Sequence, residues 1–371
     1  MRYKIKASLI EPSWFEDIIF KTLDMYEGNQ DLTYSPLAEF LRNFKTWGGK
    51  HRSQIGKDLE VGIEERLKEF VDLYKSIEKN GYREDSPPLF VWFDDDGFIR
   101  LYDGHHRLSI LRYLLKLWGT SYDQEILVTT DWDSAGIDPT GIKGRDFPLV
   151  ETASRIWGQK RLYHYVNDPA GRLKDFTIQR PDSIDRRNFI LKNLKSYSGP
   201  QTVSTGPVDL ANVLDIGCSE GYLSHEIAKA GYDVTAIEKG YIPNEEGRGR
   251  TLISIARYLA TIQNIKMKCI LADWKDLIRK QNFFFENILY LSVLHNEINA
   301  LGEKQAFENL TLFRGKCNRL FIEIPDIQEQ PDWAFVFKVE EVIPKLERAT
   351  KMKFKEVWKG YRPIILFEKP L

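Results

Sequence analysis

The residues best suited to chemistry lie in one short run. Val213-Leu214-Asp215-Ile216 is an apolar strand, followed by the turn Gly217-Cys218-Ser219-Glu220-Gly221. A helical stretch from Tyr222 to Ala230 stops at Gly231, and Asp233-Val234-Thr235-Ala236-Ile237-Glu238 reads as a second strand. Glu238 falls 238 − 215 = 23 positions after Asp215. A strand, a small-residue turn, a helix and an acid-ended strand have the mechanics of an adenosine site. Small residues let the ligand approach the backbone, helix N–H groups face it, and the carboxylate accepts the ribose hydroxyls. A dinucleotide fingerprint is not met, because Gly217 is followed by Ser219 and Tyr222 at the second and third glycine positions. The turn also satisfies G-x-S-x-G, and Ser219, Asp273 and His295 fall in the chain order of a hydrolase triad. Context disfavours that reading. The strand directly follows a linker instead of lying deep in a built sheet, and a triad leaves Asp215 and Glu238 without a role.

The strings VLDIGCSEGYLS and VTAIEKG closely resemble the first two motifs of class I S-adenosylmethionine-dependent methyltransferases, with Ser219 replacing the middle glycine of D-x-G-x-G-x-G. The resemblance spans roughly residues 205–371. It implies that Asp215, Gly217, Ser219 and Gly221 surround the methionine end of S-adenosylmethionine and that Glu238 holds the ribose. It further implies that Asp273 contacts the adenine amino group, with Trp274 as a ring neighbour. Strands are expected at CILA, ENILYLSVLHN, RLFIEIP, FKEVWKGY and RPIILFE, completing seven. A doubly wound domain with a chance glycine turn is the plainer alternative.

Methyl transfer asks little of side chains, since the sulfonium is an activated leaving group and in-line positioning supplies most of the acceleration. A base is needed only where the acceptor loses a proton. His295 is the candidate catalytic base, its alternative being a satisfied structural imidazole; Asn296, Glu297 and Glu323 are candidate pocket residues. The stretch Leu291-Ser292-Val293-Leu294-His295 lacks the N-P-P-Y motif of DNA amine methylation and is more similar to small-molecule enzymes. Residues 155–195 carry ten Lys/Arg against four acids, a formal +6, with Trp157, Tyr163, Tyr165 and Phe176 interleaved. Such a stretch suits a phosphorylated acceptor, whether phosphosugar, nucleotide or RNA end, or is simply a solvated basic face. The expected partner is a small-molecule or phosphorylated acceptor; nucleic acid stays open but is not favoured.

A second run, Asp103-Gly104-His105-His106-Arg107, lies between a strand and a helix, where helix N–H groups, imidazoles and a guanidinium can converge on an anion. LYDGHHRLSILRYL resembles the ParB/sulfiredoxin-like superfamily, best over residues 60–130. That implies nucleotide or phosphate binding by Gly104, His105, His106 and Arg107, with ATP, ADP or CTP as ligand. Sulfiredoxin chemistry needs a cysteine where His105 stands; kinase chemistry needs an acidic base, for which Glu11 and Glu16 are available. A helix cap or a metal pair are the other readings of the histidines. Neighbouring helical residues diverge by about 100°, which disfavours a shared metal, and no metal site is expected.

The elements needed to position both runs fit an α/β chain of 371 residues, long enough for two domains. Tyr3, Ile5, Ala7 and Leu9 alternate as a half-buried strand; a helix is expected at 62–79, strands at 89–93 and 98–102 about an Asp96-Gly97 turn, a helix from Gly104, and a strand at 125–130. The expected organisation is a ParB/sulfiredoxin-like α+β domain over 1–150, a basic helical connector over 151–204, and a Rossmann-like seven-stranded class I methyltransferase domain over 205–371. The Ser/Thr/Gly/Pro-rich stretch 196–212 leads into the last. Lys+Arg 53 against Asp+Glu 54 leaves no global basic field for duplex DNA. Three scattered cysteines, Cys218, Cys269 and Cys317, argue against a disulfide framework. The opening MRYKIKASLIEP has no apolar signal core, and no run approaches the roughly 20 residues of a membrane span. A cytoplasmic, membrane-free protein is expected.

Overall fold

The computed structural model describes residues 2–13, 15–43, 59–83, 85–131, 146–157, 160–195, 213–239, 246–280, 284–325 and 338–370. They form two units, Met1–Phe147 and Pro148–Leu371. The first unit contains β1 (Arg2–Lys6), α1 (Glu16–Glu27), α2 (Pro36–Asn43), α3 (Leu59–Asn80), β2 (Leu89–Phe93), β3 (Ile99–Asp103), α4 (His105–Trp118) and β4 (Glu125–Thr129). Its sheet runs β1-β4-β2-β3, with β2 parallel to β4 and the other pairs antiparallel. The β2–β3 turn closes because the Asp94 carboxylate accepts the Asp96 and Phe98 N–H groups at 3.0 and 2.9 Å, while Gly97 supplies a φ of 76°. Helix α4 buries Leu108, Leu111 and Leu114 and packs on α1 and α3. The two helices before residue 44 escaped the sequence reading.

The second unit begins with α5 (Leu149–Trp157), β5 (Arg161–Leu162), β6 (Thr177–Ile178) and α6 (Ser183–Asn193). It continues with β7 (Val213–Ile216), α7 (Tyr222–Lys229), β8 (Val234–Glu238), α8 (Glu246–Ile262), β9 (Lys268–Leu271), α9 (Trp274–Lys280) and β10 (Phe285–Tyr290). The last elements are α10 (Leu294–Leu301), α11 (Glu303–Leu310), β11 (Cys317–Glu323), α12 (Val339–Thr350), β12 (Lys353–Trp358) and β13 (Ile364–Glu368). Seven strands form one sheet in the order β12-β13-β11-β10-β7-β8-β9. Strands β7 to β11 are parallel; β13 is antiparallel to both β11 and β12. This is the Rossmann-like, seven-stranded α/β class expected.

The five inner strands read as largely apolar runs because both faces are covered, while the edge strands β9 and β12 contain no buried residue. Leu214, Ile216, Ile288, Tyr290, Leu320, Ile322, Ile365 and Phe367 enter one core; Val213, Leu289, Phe321, Ile364 and Leu366 enter the other. The second unit begins at Pro148, and within the expected connector 151–204 residues 160–195 supply β5, β6 and α6. The fourth strand ends at Tyr290, which puts His295 in the first turn of α10. The leader 196–212 lies outside the described residues. Among the described residues no helix is long and apolar enough to cross a membrane.

Candidate functional site

In the seven-stranded sheet the order reverses between β7 and β10: the chain runs outward through β8 and β9 on one side and through β10 and β11 on the other. Ligands of doubly wound sheets bind at such a switch point, beyond the C-terminal strand ends. Asp215, the 217–221 turn and Glu238 all gather there. The turn is pinned to β8 by N–H donation from Gly217 and Cys218 to the Ile237 carbonyl, at 2.9 and 3.2 Å. Gly221 has φ 84°, and a Cβ there would sit 2.7 Å from the Ala256 Cβ, so glycine is required on conformational and steric grounds. Ser219, at the position of the replaced glycine, also has a positive φ of 54°.

That conformation turns the Ser219 N–H onto Glu238 Oε2 at 3.0 Å and its hydroxyl onto Glu220 Oε2 at 2.6 Å. Glu238 Oε1 accepts the Lys239 N–H at 3.1 Å. Asp215 accepts the Ser224 hydroxyl at 2.5 Å. Burial pushes the Asp215 carboxyl up to about 6 against the opposing Ser224 hydrogen bond, and Glu238 adds to the rise. A cationic ligand group is what two buried neighbouring carboxylates favour.

Asp273 caps α9 by accepting the Lys275 N–H at 2.9 Å and also pairs with Lys239. Burial opposes its charge, but Lys239 and Lys275 hold its pKa below the ordinary carboxylate value. Trp274 is not at a ligand surface. Its ring stacks on Phe313 in the core, centroids 4.9 Å apart and planes 18° apart, and its Nε1 donates to Glu297 Oε1 at 3.1 Å. As the first residue of α9 it could have faced either side, and an apolar ring follows the core. Glu297, a pocket candidate by sequence, is likewise internal, accepting from Trp274, Lys275 and Asn309. Asn296 donates to the Ser292 carbonyl at 2.8 Å.

His295 is buried, and that burial, reinforced by Arg362, brings its pKa down to about 4. The imidazole is neutral at pH 7, so it can accept a proton, but it is a weaker base than an ordinary histidine.

Sequence reasoning named Glu323 as a pocket candidate but missed the charged assembly built around it. Glu323, at the end of β11 and 0% exposed, accepts Arg180 at 3.0 Å, Ser292 at 2.5 Å and Arg186; Arg362 stands 3.7 Å away. Arg180 and Arg186 are 2% and 0% exposed. Burial would raise the Glu323 pKa, yet the guanidiniums of Arg186, Arg180 and Arg362 hold it at about 2. Tyr163 joins this assembly to the turn: its hydroxyl contacts Ser292 Oγ at 2.7 Å and its N–H donates to Glu220 at 2.9 Å. Thus the basic stretch 155–195 is neither an open grip nor a uniform solvated face, because two of its arginines are core groups while Arg155, Lys160, Arg161, Lys174, Lys192 and Lys195 are exposed.

In the first unit, Gly104 caps α4 with φ 99°, and a Cβ there would meet Leu89 Cδ2 at 2.3 Å. Within the box, His105 and His106 both lie against the Phe15 ring, and Arg107 Nη2 would lie 3.2 Å from a Cβ on Gly104. His106 lies against the rings of Phe15 and Phe70, centroids 5.1 and 5.7 Å away, and burial lowers its pKa to about 4. Burial also lowers the pKa of His105, whose Nε2 contacts the Tyr102 carbonyl at 3.1 Å. Arg107 donates to the Pro87 carbonyl. Of the acidic candidates, Glu16 pairs with Arg112 at 2.9 Å and Glu11 with Arg100 at 3.9 Å.

No family model matches the chain, and no curated protein matches it. Among solved structures it is similar to the bifunctional kinase-methyltransferase WbdD, at 17% identity over 59% of this chain and 46% of that one, TM-score 0.44. The chain thus spans about half the length of WbdD. It is also similar to magnesium protoporphyrin IX methyltransferase ChlM from Synechocystis PCC 6803 with bound SAM, at 16% identity over 59% of this chain and 90% of that one, TM-score 0.38. The N-methyltransferase NodS from Bradyrhizobium japonicum WM9, in complex with S-adenosyl-l-homocysteine, is 18% identical over 59% of this chain and 99% of that one, TM-score 0.36. At these values the likenesses carry no weight of their own, and the reading rests on strand order and local geometry.

Proposed function

We propose that the chain is an S-adenosylmethionine-dependent methyltransferase acting on a small or phosphorylated acceptor. The observation that carries this reading is the hydrogen bond from the Ser219 N–H to Glu238 beside the buried Asp215 at the sheet's switch point. It fixes the turn and the acid as one rigid receptor for an adenosine with a cationic tail. The residues fit that group: Asp215 faces its ammonium end, Glu238 its ribose, Gly217 and Gly221 admit close backbone approach, and Asp273 stands at the adenine end through its carboxylate, not through Trp274. When bound, the cofactor supplies an activated methyl group. The chain's own task is to orient the acceptor in line and exclude water, with His295 taking a proton at a ring nitrogen where the acceptor is a hydroxyl.

In the first unit, a phosphate of ATP, ADP or CTP would rest on the α4 N-terminus and Arg107, with His106 excluded by its place between Phe15 and Phe70. The same fold serving only as a ligand sensor beside that unit is the competing reading; it too requires cofactor binding but no turnover. Calorimetry on the full chain tests the proposal. S-adenosylmethionine should bind saturably and NADH should not; preference for NADH would overturn it.

A further inference from the structure

Among the described residues, five that are not glycine have a left-handed backbone: Asn29, Ser219, Asn264, Ser292 and Lys351. Asparagine tolerates that region, and Lys351 caps the end of α12, where such a conformation is common. Neither reason applies to the two serines. Ser219 lies in the turn after β7 and Ser292 follows β10, the strand paired with β7 across the switch point. Backbone strain of this kind persists only where surrounding contacts hold it, and it gathers at functional sites.

One chain of hydrogen bonds joins the two serines. The Ser219 hydroxyl donates to Glu220 Oε2 at 2.6 Å, and Glu220 Oε1 accepts the Tyr163 N–H at 2.9 Å. The Tyr163 hydroxyl lies 2.7 Å from Ser292 Oγ, and Ser292 donates to Glu323 Oε1 at 2.5 Å. Since the Ser292 proton goes to Glu323, its oxygen accepts from Tyr163, and every bond of the chain has a fixed direction. Glu220 is fully buried, with a donor on each oxygen. The segment bearing Tyr163 also reaches both halves of the sheet. Arg172 Nη2 donates to the Tyr258 hydroxyl of α8 at 2.8 Å, and Arg180 Nη1 to Glu323 at the end of β11 at 3.0 Å.

We infer that Glu220 and Tyr163 are positioning residues that couple the methyl-donor turn to the end of β10, where the candidate base His295 begins α10. Neither has to touch a substrate. A ligand seated on the turn steadies Ser219 and Glu220, these hold the Tyr163 backbone, and the Tyr163 hydroxyl sets Ser292, three positions before His295. The coupling is reciprocal: the order that cofactor binding adds to this chain is lost from cofactor affinity when the chain is broken. Ser219 then has a use that the replaced glycine lacks. Glycine would meet the φ of position 219 more easily, but it has no hydroxyl to reach Glu220. The inference rests on the methyltransferase reading for what occupies the turn.

The experiment follows amide hydrogen exchange of the full chain with and without S-adenosylhomocysteine, whose affinity is read by calorimetry. In the wild type the ligand should slow exchange about tenfold in 160–166 and in 291–296, the counterpart of one hydrogen bond to a charged group. Glu220→Gln offers one acceptor oxygen to two donors; it should weaken S-adenosylhomocysteine binding about tenfold and remove the added protection of both segments. Ser219→Gly suits the turn's backbone and so reads the same link if Glu220→Gln does not fold; it should bind the ligand without protecting 160–166. Tyr163→Phe keeps the N–H bond and loses only the hydroxyl, so protection should remain in 160–166 and vanish in 291–296, whereas a merely loosened fold would lose both. Wild-type protein that binds S-adenosylhomocysteine with no change in 160–166 overturns the coupling and leaves the methyltransferase reading standing. Tyr163→Phe with 291–296 protected as in the wild type does the same. If S-adenosylhomocysteine does not bind the wild type, the methyltransferase reading falls and this inference falls with it.

Discussion

Glu323→Gln should cost the second unit several kcal/mol of stability, and the cost should depend on pH in a defined direction. The folded carboxyl titrates at about 2 against an ordinary value of 4.5. A depression of that size corresponds to about 3 kcal/mol, since each unit is worth about 1.4 kcal/mol. Removing one partner from a buried ion pair gives a similar figure, about 3–5 kcal/mol, because Arg180 and Arg186 stay buried with less to answer them. Because the folded pKa is depressed, the stabilisation is fully present above pH 4.5 and fades as pH falls towards 2. Urea unfolding of the full chain, followed through the transition of the second unit at pH 7, 5 and 3, should show the wild-type–variant gap constant from 7 to 5 and narrower at 3. Arg186→Met should be comparably destabilising, and the double variant less so than the sum. A loss below about 1 kcal/mol at pH 7, or a gap unchanged at pH 3, would refute the idea that the assembly is an ionised, mutually dependent unit.

Three further outcomes follow from the sites. Glu238→Ala should weaken S-adenosylmethionine binding about tenfold or more, as the loss of one or two charge-assisted hydrogen bonds requires; calorimetry on folded variant with unchanged affinity refutes the ribose assignment. His295→Ala should lower turnover of a hydroxyl acceptor by about 10²–10⁴ with cofactor affinity kept, whereas a changed melting temperature with no selective rate effect would assign the imidazole to structure. For the first unit, Arg107→Lys should weaken ATP, ADP or CTP binding by the full chain without altering S-adenosylmethionine affinity. That binding should gain nothing from His106 between pH 8 and 6, because burial keeps this imidazole neutral down to about pH 4.

What the sequence disclosed was local. The β7 turn, α7 and the acid of β8 are spelled within 26 consecutive residues, 213–238, and the β2–β3 hairpin within its own turn, so propensity and spacing suffice. The five inner strands were countable because each is an apolar run largely buried on both faces, whereas the edge strands β9 and β12 contain no buried residue. The arginine assembly was not legible: Arg180 and Glu323 are separated by 143 positions, and only the fold brings them together. Composition alone makes Arg180 and Arg186 resemble their exposed neighbours in 155–195. Trp274 and His106 failed for a related reason. Each adjoins a motif in sequence, but the helix start on which it sits turns the ring towards apolar neighbours, Phe313 in one case and Phe15 with Phe70 in the other.

The most direct test is transfer itself. The full chain is incubated with methyl-labelled S-adenosylmethionine and separate metabolite and RNA extracts, and products are resolved by intact mass. The account predicts enzyme-dependent S-adenosylhomocysteine formation and a labelled small-molecule product, lost in Glu238→Ala. S-adenosylmethionine that binds but is never consumed would contradict an enzyme and favour the sensor reading; absence of any binding, with NADH bound instead, would contradict the account at its root.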